Sequence, residues 1–246
     1  MKNKNNFNNI WDYFEGHIRC INLITRKDRY EESKKVFDKY KIPVRYFYAK
    51  KHPKGGVYGC FDSHIRVIRE AYYSGAKRVL IFEDDITPTD YLNVENLKKA
   101  IKFMKTKKDW DLFYLGALPE IRRHYSRQTK YPGIYRLHGV CTHAYIVNRS
   151  AMKKLINLKF DGTAIDYYYI NNFNKCYALY PTLFLQGLSK SDIGSNWWAY
   201  YGTKDRVATF YRCIEWYAYH INYPLTVVIP IVLIIILILI GLFLYC

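Results

Sequence analysis

The chain contains no C-x-x-C pair; its six cysteines, Cys20, Cys60, Cys141, Cys176, Cys213 and Cys246, lie scattered. That disfavours a zinc cluster. It also lacks an apolar run at its start, where Met1 to Asn9 is rich in Lys and Asn, so no secretory signal peptide is read there. Repeats, low-complexity tracts and a second soluble domain are likewise missing. Acidic residues are scarce, with 21 Asp and Glu against 38 Lys and Arg and a formal charge of +17. Basic charge interleaved with 26 Tyr is what a nucleic-acid binder would show. Yet there is no basic recognition helix, zinc module or aromatic RNA-binding signature, and an AT-rich coding sequence writes the same excess of Lys, Asn, Ile and Tyr. No specific nucleic acid is expected as a partner.

What is present begins with an alternation. His17 to Leu23 reads as a strand, Asp28 to Tyr40 as an amphipathic helix stopped by Pro43, and Val44 to Ala49 as a second strand. A basic Gly- and Pro-containing loop, Lys50 to Gly56, leads to a helix from Phe61 to Tyr73, and Arg78 to Phe82 forms a third strand. Strand, helix, strand, helix, strand is the signature of an α/β domain with a parallel sheet. Beyond it the pattern gives a helix over Val94 to Lys105, a strand over Trp110 to Leu115, and a basic loop from Glu120 to Tyr131 with Arg122, Arg123, Arg127 and Lys130. That loop is either a lid or a solvated surface. Ile134 to Leu137 and Thr142 to Val147 read as strands, and Ser150 as the cap of a helix to Leu158.

Leu225 to Tyr245 is an uncharged, largely branched apolar stretch. As a helix it spans about 30 Å, the thickness of a bilayer core. A buried core helix is the alternative. The reading therefore divides the chain into a polar segment 1–16, a catalytic domain 17–222 and a transmembrane anchor 225–245, a single-pass tail anchor with the domain on the cytosolic side. Trp197, Trp198 and Trp216 suit an interfacial belt or ordinary packing equally.

Most of the chemistry sits in Val79-Leu80-Ile81-Phe82-Glu83-Asp84-Asp85-Ile86, where an apolar run ends in three carboxylates. Clustered negative charge persists where something positive neutralises it, and a hard cation such as Mn²⁺ or Mg²⁺ takes oxygen ligands. A solvated acidic turn is the alternative. Ligands in parallel sheets bind beyond the carboxyl ends of the strands, where these residues fall. Asp85 and then Glu83 are the candidate metal ligands, because alternation places them on one side and Asp84 on the other.

The order and spacing of several blocks resemble glycosyltransferase family 25. They are Ile21-Asn22-Leu23, Arg26, Asp28-Arg29, Gly59-Cys60, Ser63-His64, Phe82 to Ile86, Gly139 to Val147, Ile165-Asp166, Tyr180-Pro181, Gln186 and Ser191 to Ile193. One departure stands out: Val57 and Tyr58 occupy the region where that family usually carries an acidic residue. The resemblance implies a GT-A type, Rossmann-like nucleotide-sugar-binding domain with a mixed, mostly parallel sheet. It also implies inverting transfer of a hexose from a UDP-sugar to a hydroxyl of a glycan, glycoprotein or glycolipid. Asp166 is then the candidate base, with a helix N-cap as its alternative, and Asp192 the second choice. Ser63, His64, Glu83, Asp84, His143 and Gln186 are candidate donor contacts, although a capping Ser and a core His would explain Ser63 and His64 too. The basic surface would attract an anionic sugar nucleotide or anionic lipid headgroups. The rival expectation is a catalytically inactive, transferase-like membrane scaffold. A compact, AT-biased chain of this type would suit a large DNA virus of eukaryotes.

Overall fold

The computed structural model describes residues 7–122, 126–187, 192, 204–221 and 225–245. Arg123, Ser191, Ile193, Trp197, Trp198 and the first six residues of the segment 1–16 lie outside them. The opening alternation is present: β1 (Ile18–Leu23), α1 (Lys27–Lys39), β2 (Arg45–Ala49), α2 (Gly56–Tyr73) and β3 (Arg78–Glu83). β1 pairs in parallel with β2 and with β3, and α1 and α2 are the crossovers that parallel pairs require.

There follow β4 (Ile86–Pro88), α3 (Val94–Thr106), β5 (Leu112–Pro119), β6 (Arg127–Gln128), β7 (Ile134–Arg136), β8 (Gly139–Asn148), α4 (Arg149–Leu155), α5 (Ile165–Asn172), β9 (Cys176–Leu179), β10 (Phe184–Gln186), α6 (Lys204–His220) and α7 (Leu225–Tyr245). The main sheet runs β2-β1-β3-β8-β5-β9-β7-β6, and β4 pairs with β10 in a separate ribbon. The sheet is mixed, but by its pairings it is not mostly parallel. β8 runs against both β3 and β5, and β7 against both β9 and β6, so only the β1 contacts and β5 with β9 are parallel.

Alternating side chains build a core on each face of the sheet. Leu80, Phe82, Phe113, Leu115, Ala144 and Ile146 pack with Phe37 of α1 and Leu97, Ala100 and Phe103 of α3. Val79, Ile81, Leu112, Tyr114, Tyr145 and Val147 pack with Ile65 and Ile68 of α2, Met152 of α4 and Tyr169 of α5. Glu83, in step with Val79 and Ile81, is thereby turned towards α2. Asp84 is turned towards α1.

Four local expectations change. α2 starts at Gly56, so Gly59 and Cys60 lie within its first turns; Gly55 at φ +97° makes the entering bend. α4 is capped by Asn148, whose Oδ1 accepts from the Arg149 amide at 2.7 Å, and not by Ser150. Asp166 is the second residue of α5, after Ala164 at the cap position, so its N-cap alternative falls. A helix does cover Leu225–Tyr245. Among the described residues, however, no single helix is long and apolar enough to cross a membrane. Thr209–His220 and Leu225–Ile236 meet that requirement only as a pair, bent by 86°. Among the described residues one continuous transmembrane anchor is therefore unsupported.

Candidate active site

The carboxyl ends of β1, β2 and β3 open into a cleft of about 300 Å³. Leu23, Ala49 and Glu83 close its floor, Lys50, Lys51 and His52 extend from β2 along one wall, and Gly55, Gly56 and Gly59 bring the start of α2 close. A Cβ at Gly59 would stand 3.1 Å from the Cβ of His52, so glycine is what lets the basic loop fold onto the helix.

Asp84 and Asp85 form the turn between β3 and β4, and their roles separate. Asp84 accepts from Asn22 Nδ2 at 2.7 Å, from the Leu23 amide at 3.4 Å and from Arg29 Nη1 at 2.9 Å. It is buried, and burial raises its proton affinity even though Arg29 and Asn22 pull it down. Asp84 is thus committed to joining β1 and α1. Asp85 keeps more capacity: Oδ2 lies 3.4 Å from both Arg29 Nη1 and Gln186 Nε2, while Oδ1 is buried without a hydrogen-bond partner. Burial first, and then the charge of Glu83, push its carboxyl well above the usual range. An anionic oxygen left in this state fits a cation. Because β3 ends at Glu83, the strand alternation that would have set Glu83 and Asp85 side by side does not carry through the turn.

Glu83 instead meets His64, whose Nε2 lies 3.3 Å from Glu83 Oε1. On the other side His64 Nδ1 is 2.7 Å from the Tyr145 hydroxyl, which is 3.0 Å from that of Tyr169. A buried polar line therefore runs from α5 through β8 and α2 to the cleft. Ser63 bonds back to the Gly59 carbonyl at 2.6 Å, one turn earlier, and shows its edge to the cleft.

The remaining predicted residues are distributed as follows. Gln186 lines the cleft because the β4–β10 ribbon sets it opposite Ile86. Asp192 also lines it, paired with Arg26 Nη1 at 2.6 Å and Lys51 Nζ at 3.7 Å. Asp166 is outside the described lining. Its Oδ2 accepts from the Cys141 amide at 3.2 Å and its Oδ1 from the Tyr167 amide at 2.8 Å, while burial raises its proton affinity. His143 is fully buried, with Nδ1 2.5 Å from the Cys141 carbonyl and Nε2 3.0 Å from the Phe184 carbonyl. It ties β8 to β10 rather than reaching the cleft.

Sequence reasoning missed Arg29 as the countercharge of the acidic turn, although Asp28-Arg29 was among the blocks. It also missed Cys60 beside His64 and Glu83. The signal was there as Cys60-x-x-x-His64, one helical turn apart, but a helix read from Phe61 onward left the cysteine outside it.

The chain matches the family described as "Glycosyltransferase family 25 (LPS biosynthesis protein)" over residues 24–169. It is 39% identical over 62 residues to the probable inactive glycosyltransferase 25 family member 3 of Rattus norvegicus, covering 25% of this chain and 11% of that protein. The chain thus spans only a small part of that relative. Similar solved structures include a glycosyltransferase involved in glycosylation of the major capsid of PBCV-1, with TM-score 0.43, 12% identity, and 71% of this chain and 93% of that one covered. Another is UDP-glucose pyrophosphorylase complexed with UDP-glucose, with TM-score 0.40, 11% identity and coverage of 80% and 81%. A third is mannose-1-phosphate geranyltransferase from Thermus thermophilus, with TM-score 0.38, 12% identity and coverage of 69% and 58%.

Proposed function

Because the chain belongs to glycosyltransferase family 25, matched over residues 24–169, we propose that it moves a hexose from a UDP-sugar to a hydroxyl of a glycan, glycoprotein or glycolipid, with inversion. The observation that carries this reading is the turn at Glu83 to Asp85, delivered to the cleft at the carboxyl ends of the three parallel strands with one buried oxygen of Asp85 unpartnered. Asp85 and Glu83 are the residues that would hold Mn²⁺ or Mg²⁺; such an ion neutralises a diphosphate leaving group. Asp84 is already occupied by Asn22 and Arg29.

Lys50, Lys51 and His52 flank the position a diphosphate would take, and Gln186 holds Asp85 from the opposite side. In the reaction the acceptor oxygen forms a bond to the anomeric carbon, the bond from that carbon to UDP breaks, and the hydroxyl proton passes to a carboxylate. Asp166 is the better base of the two candidates, because burial raises its affinity for a proton, whereas the Asp192 carboxylate is already paired with Arg26 and Lys51. The apolar side chains of Val227, Ile229 and Ile231 to Ile236 are exposed and suit contact with a bilayer, which would bring the cleft near membrane-bound acceptors.

The inactive-scaffold reading is favoured by one observation: Asp166 lies outside the described lining of the cleft. UDP release by the full chain separates the two. Supplied with UDP-glucose, UDP-galactose or their N-acetyl forms, it should release UDP from one donor in the presence of Mn²⁺, and Asp85→Ala should abolish the release. Silence with every donor, and no thermal shift on adding UDP with Mn²⁺, favours the scaffold.

A further inference from the structure

The donor atoms of Cys60, His64 and Glu83 all lie within 4.8 Å of one another. Cys60 and His64 stand four residues apart on α2, a spacing that puts both on one helical face. Glu83 ends β3 on the side of the sheet that this face covers. All three line the cleft.

The imidazole is prepared for a ligand. His64 is 1% exposed, its Nε2 has no hydrogen-bond partner, and that nitrogen lies 3.3 Å from Glu83 Oε1. Its other nitrogen is oriented by Tyr145 at 2.7 Å, and Tyr145 by Tyr169 at 3.0 Å. A histidine that binds through Nε2 keeps its proton on Nδ1. That proton can be donated to the Tyr145 hydroxyl, which in turn donates to Tyr169, so the whole line is satisfied.

We propose that Cys60, His64 and Glu83 form a three-ligand centre for a divalent ion of the zinc class, with its open coordination position facing the cleft. One sulfur, one imidazole nitrogen and one carboxylate oxygen make a borderline donor set that suits Zn²⁺ or Co²⁺, whereas Mg²⁺ and Mn²⁺ choose oxygen. Three protein ligands and one open position are also the pattern of a zinc site that admits a substrate or water. The centre goes beyond the sugar-transfer reading and does not depend on it, although both draw on Glu83.

The test is a Co²⁺ titration of the metal-stripped full chain, followed by absorption. The wild type should develop visible d–d bands and a near-ultraviolet thiolate-to-cobalt charge-transfer band; Zn²⁺ should bleach both, and excess Mg²⁺ neither. Cys60→Ser should lose the charge-transfer band and weaken zinc binding by more than the roughly 10- to 100-fold that follows when only a partner orienting a ligand is removed. Zinc should raise the melting temperature of the wild type more than that of Cys60→Ser, a comparison that stays informative if the variant is less stable. Cobalt binding without the thiolate band, or equal zinc affinity in the two proteins, overturns the centre. Mn²⁺-dependent UDP binding, measured on the same samples, judges the other reading separately. Its absence with the cobalt band intact sinks sugar transfer and leaves the centre standing, and the converse sinks the centre alone.

Discussion

Arg29 Nη1 of α1 lies 2.9 Å from Asp84 Oδ1 in the turn after β3, and both side chains are almost entirely buried. The same nitrogen is 3.4 Å from Asp85 Oδ2, so one guanidinium serves two consecutive carboxylates. Arg29→Ala should leave both uncompensated and cost about 3 kcal/mol of stability at neutral pH. Without the arginine the two carboxyls should take up protons more readily, so the deficit should shrink as the pH falls. Urea denaturation at neutral and acidic pH checks both parts.

Asp84→Asn and Asp85→Asn should separate structure from ligand binding. The first removes the charge that meets Arg29 and should lower stability by about 1–3 kcal/mol, as loss of a buried charged hydrogen bond does. The second replaces the carboxylate with the unpartnered oxygen, and should change stability little while eliminating Mn²⁺-dependent UDP binding by calorimetry.

Glu215 of α6 is buried in a cavity with Tyr91, Tyr180, Pro181 and Trp216, and burial pushes its carboxyl up to about 8. Unfolded, the same group ionises near its ordinary value of 4.5. Between these values the unfolded chain has lost a proton that the folded chain retains, so the group's contribution to stability is full below the lower value and is lost as pH rises through the upper. Glu215→Gln has no such titration. Its stability should fall less than the wild type's across that window, and equal slopes in parallel denaturation series would exclude the effect.

Gly187 follows β10, and its amide donates to the carbonyl of Asp85. A Cβ there would come within 2.6 Å of that same carbonyl oxygen, which is backbone and cannot swing aside. Gly187→Ala should therefore displace the acidic turn and weaken Mn²⁺-dependent UDP binding, with a stability loss of about 1–3 kcal/mol from overpacking. Unchanged UDP affinity would show that the turn tolerates the shift.

Tyr145 stands between His64 and Tyr169. Tyr145→Phe should leave His64 Nδ1 and the Tyr169 hydroxyl without their common partner, at a cost of about 1–3 kcal/mol by thermal denaturation.

The parallel half of the fold was legible because its strands are buried runs and its helices carry apolar residues at helical spacing. The acidic turn was legible for the same reason: an apolar run ending abruptly in Glu83, Asp84 and Asp85 marks a strand's carboxyl end. Residues supplied from far along the chain were harder. Arg29 and Asp84 are brought together by the packing of α1 on the sheet, and no local pattern encodes that contact. The three-residue strands β4 and β10 are too short to leave a period, yet they set Gln186 beside Asp85. The start of α2 was hidden by Gly56 and Gly59, poor helix formers, of which Gly59 packs against His52 of the neighbouring loop. Cys60 was lost with it. His143 carried the resemblance but serves the junction of β8 and β10, where Gly116 leaves room for its ring.

β5 is buried at all eight of its positions and is bordered by β8 on one side and β9 on the other. The family match ends at residue 169, before β9 begins at Cys176. A protein cut at that boundary would keep Glu83 to Asp85 yet leave Leu112 to Tyr114 of β5 without their β9 partners, an uncharged edge open to strand-to-strand self-association. That edge lies outside the cleft lining, so precipitation of such a fragment would say nothing about whether the cleft works.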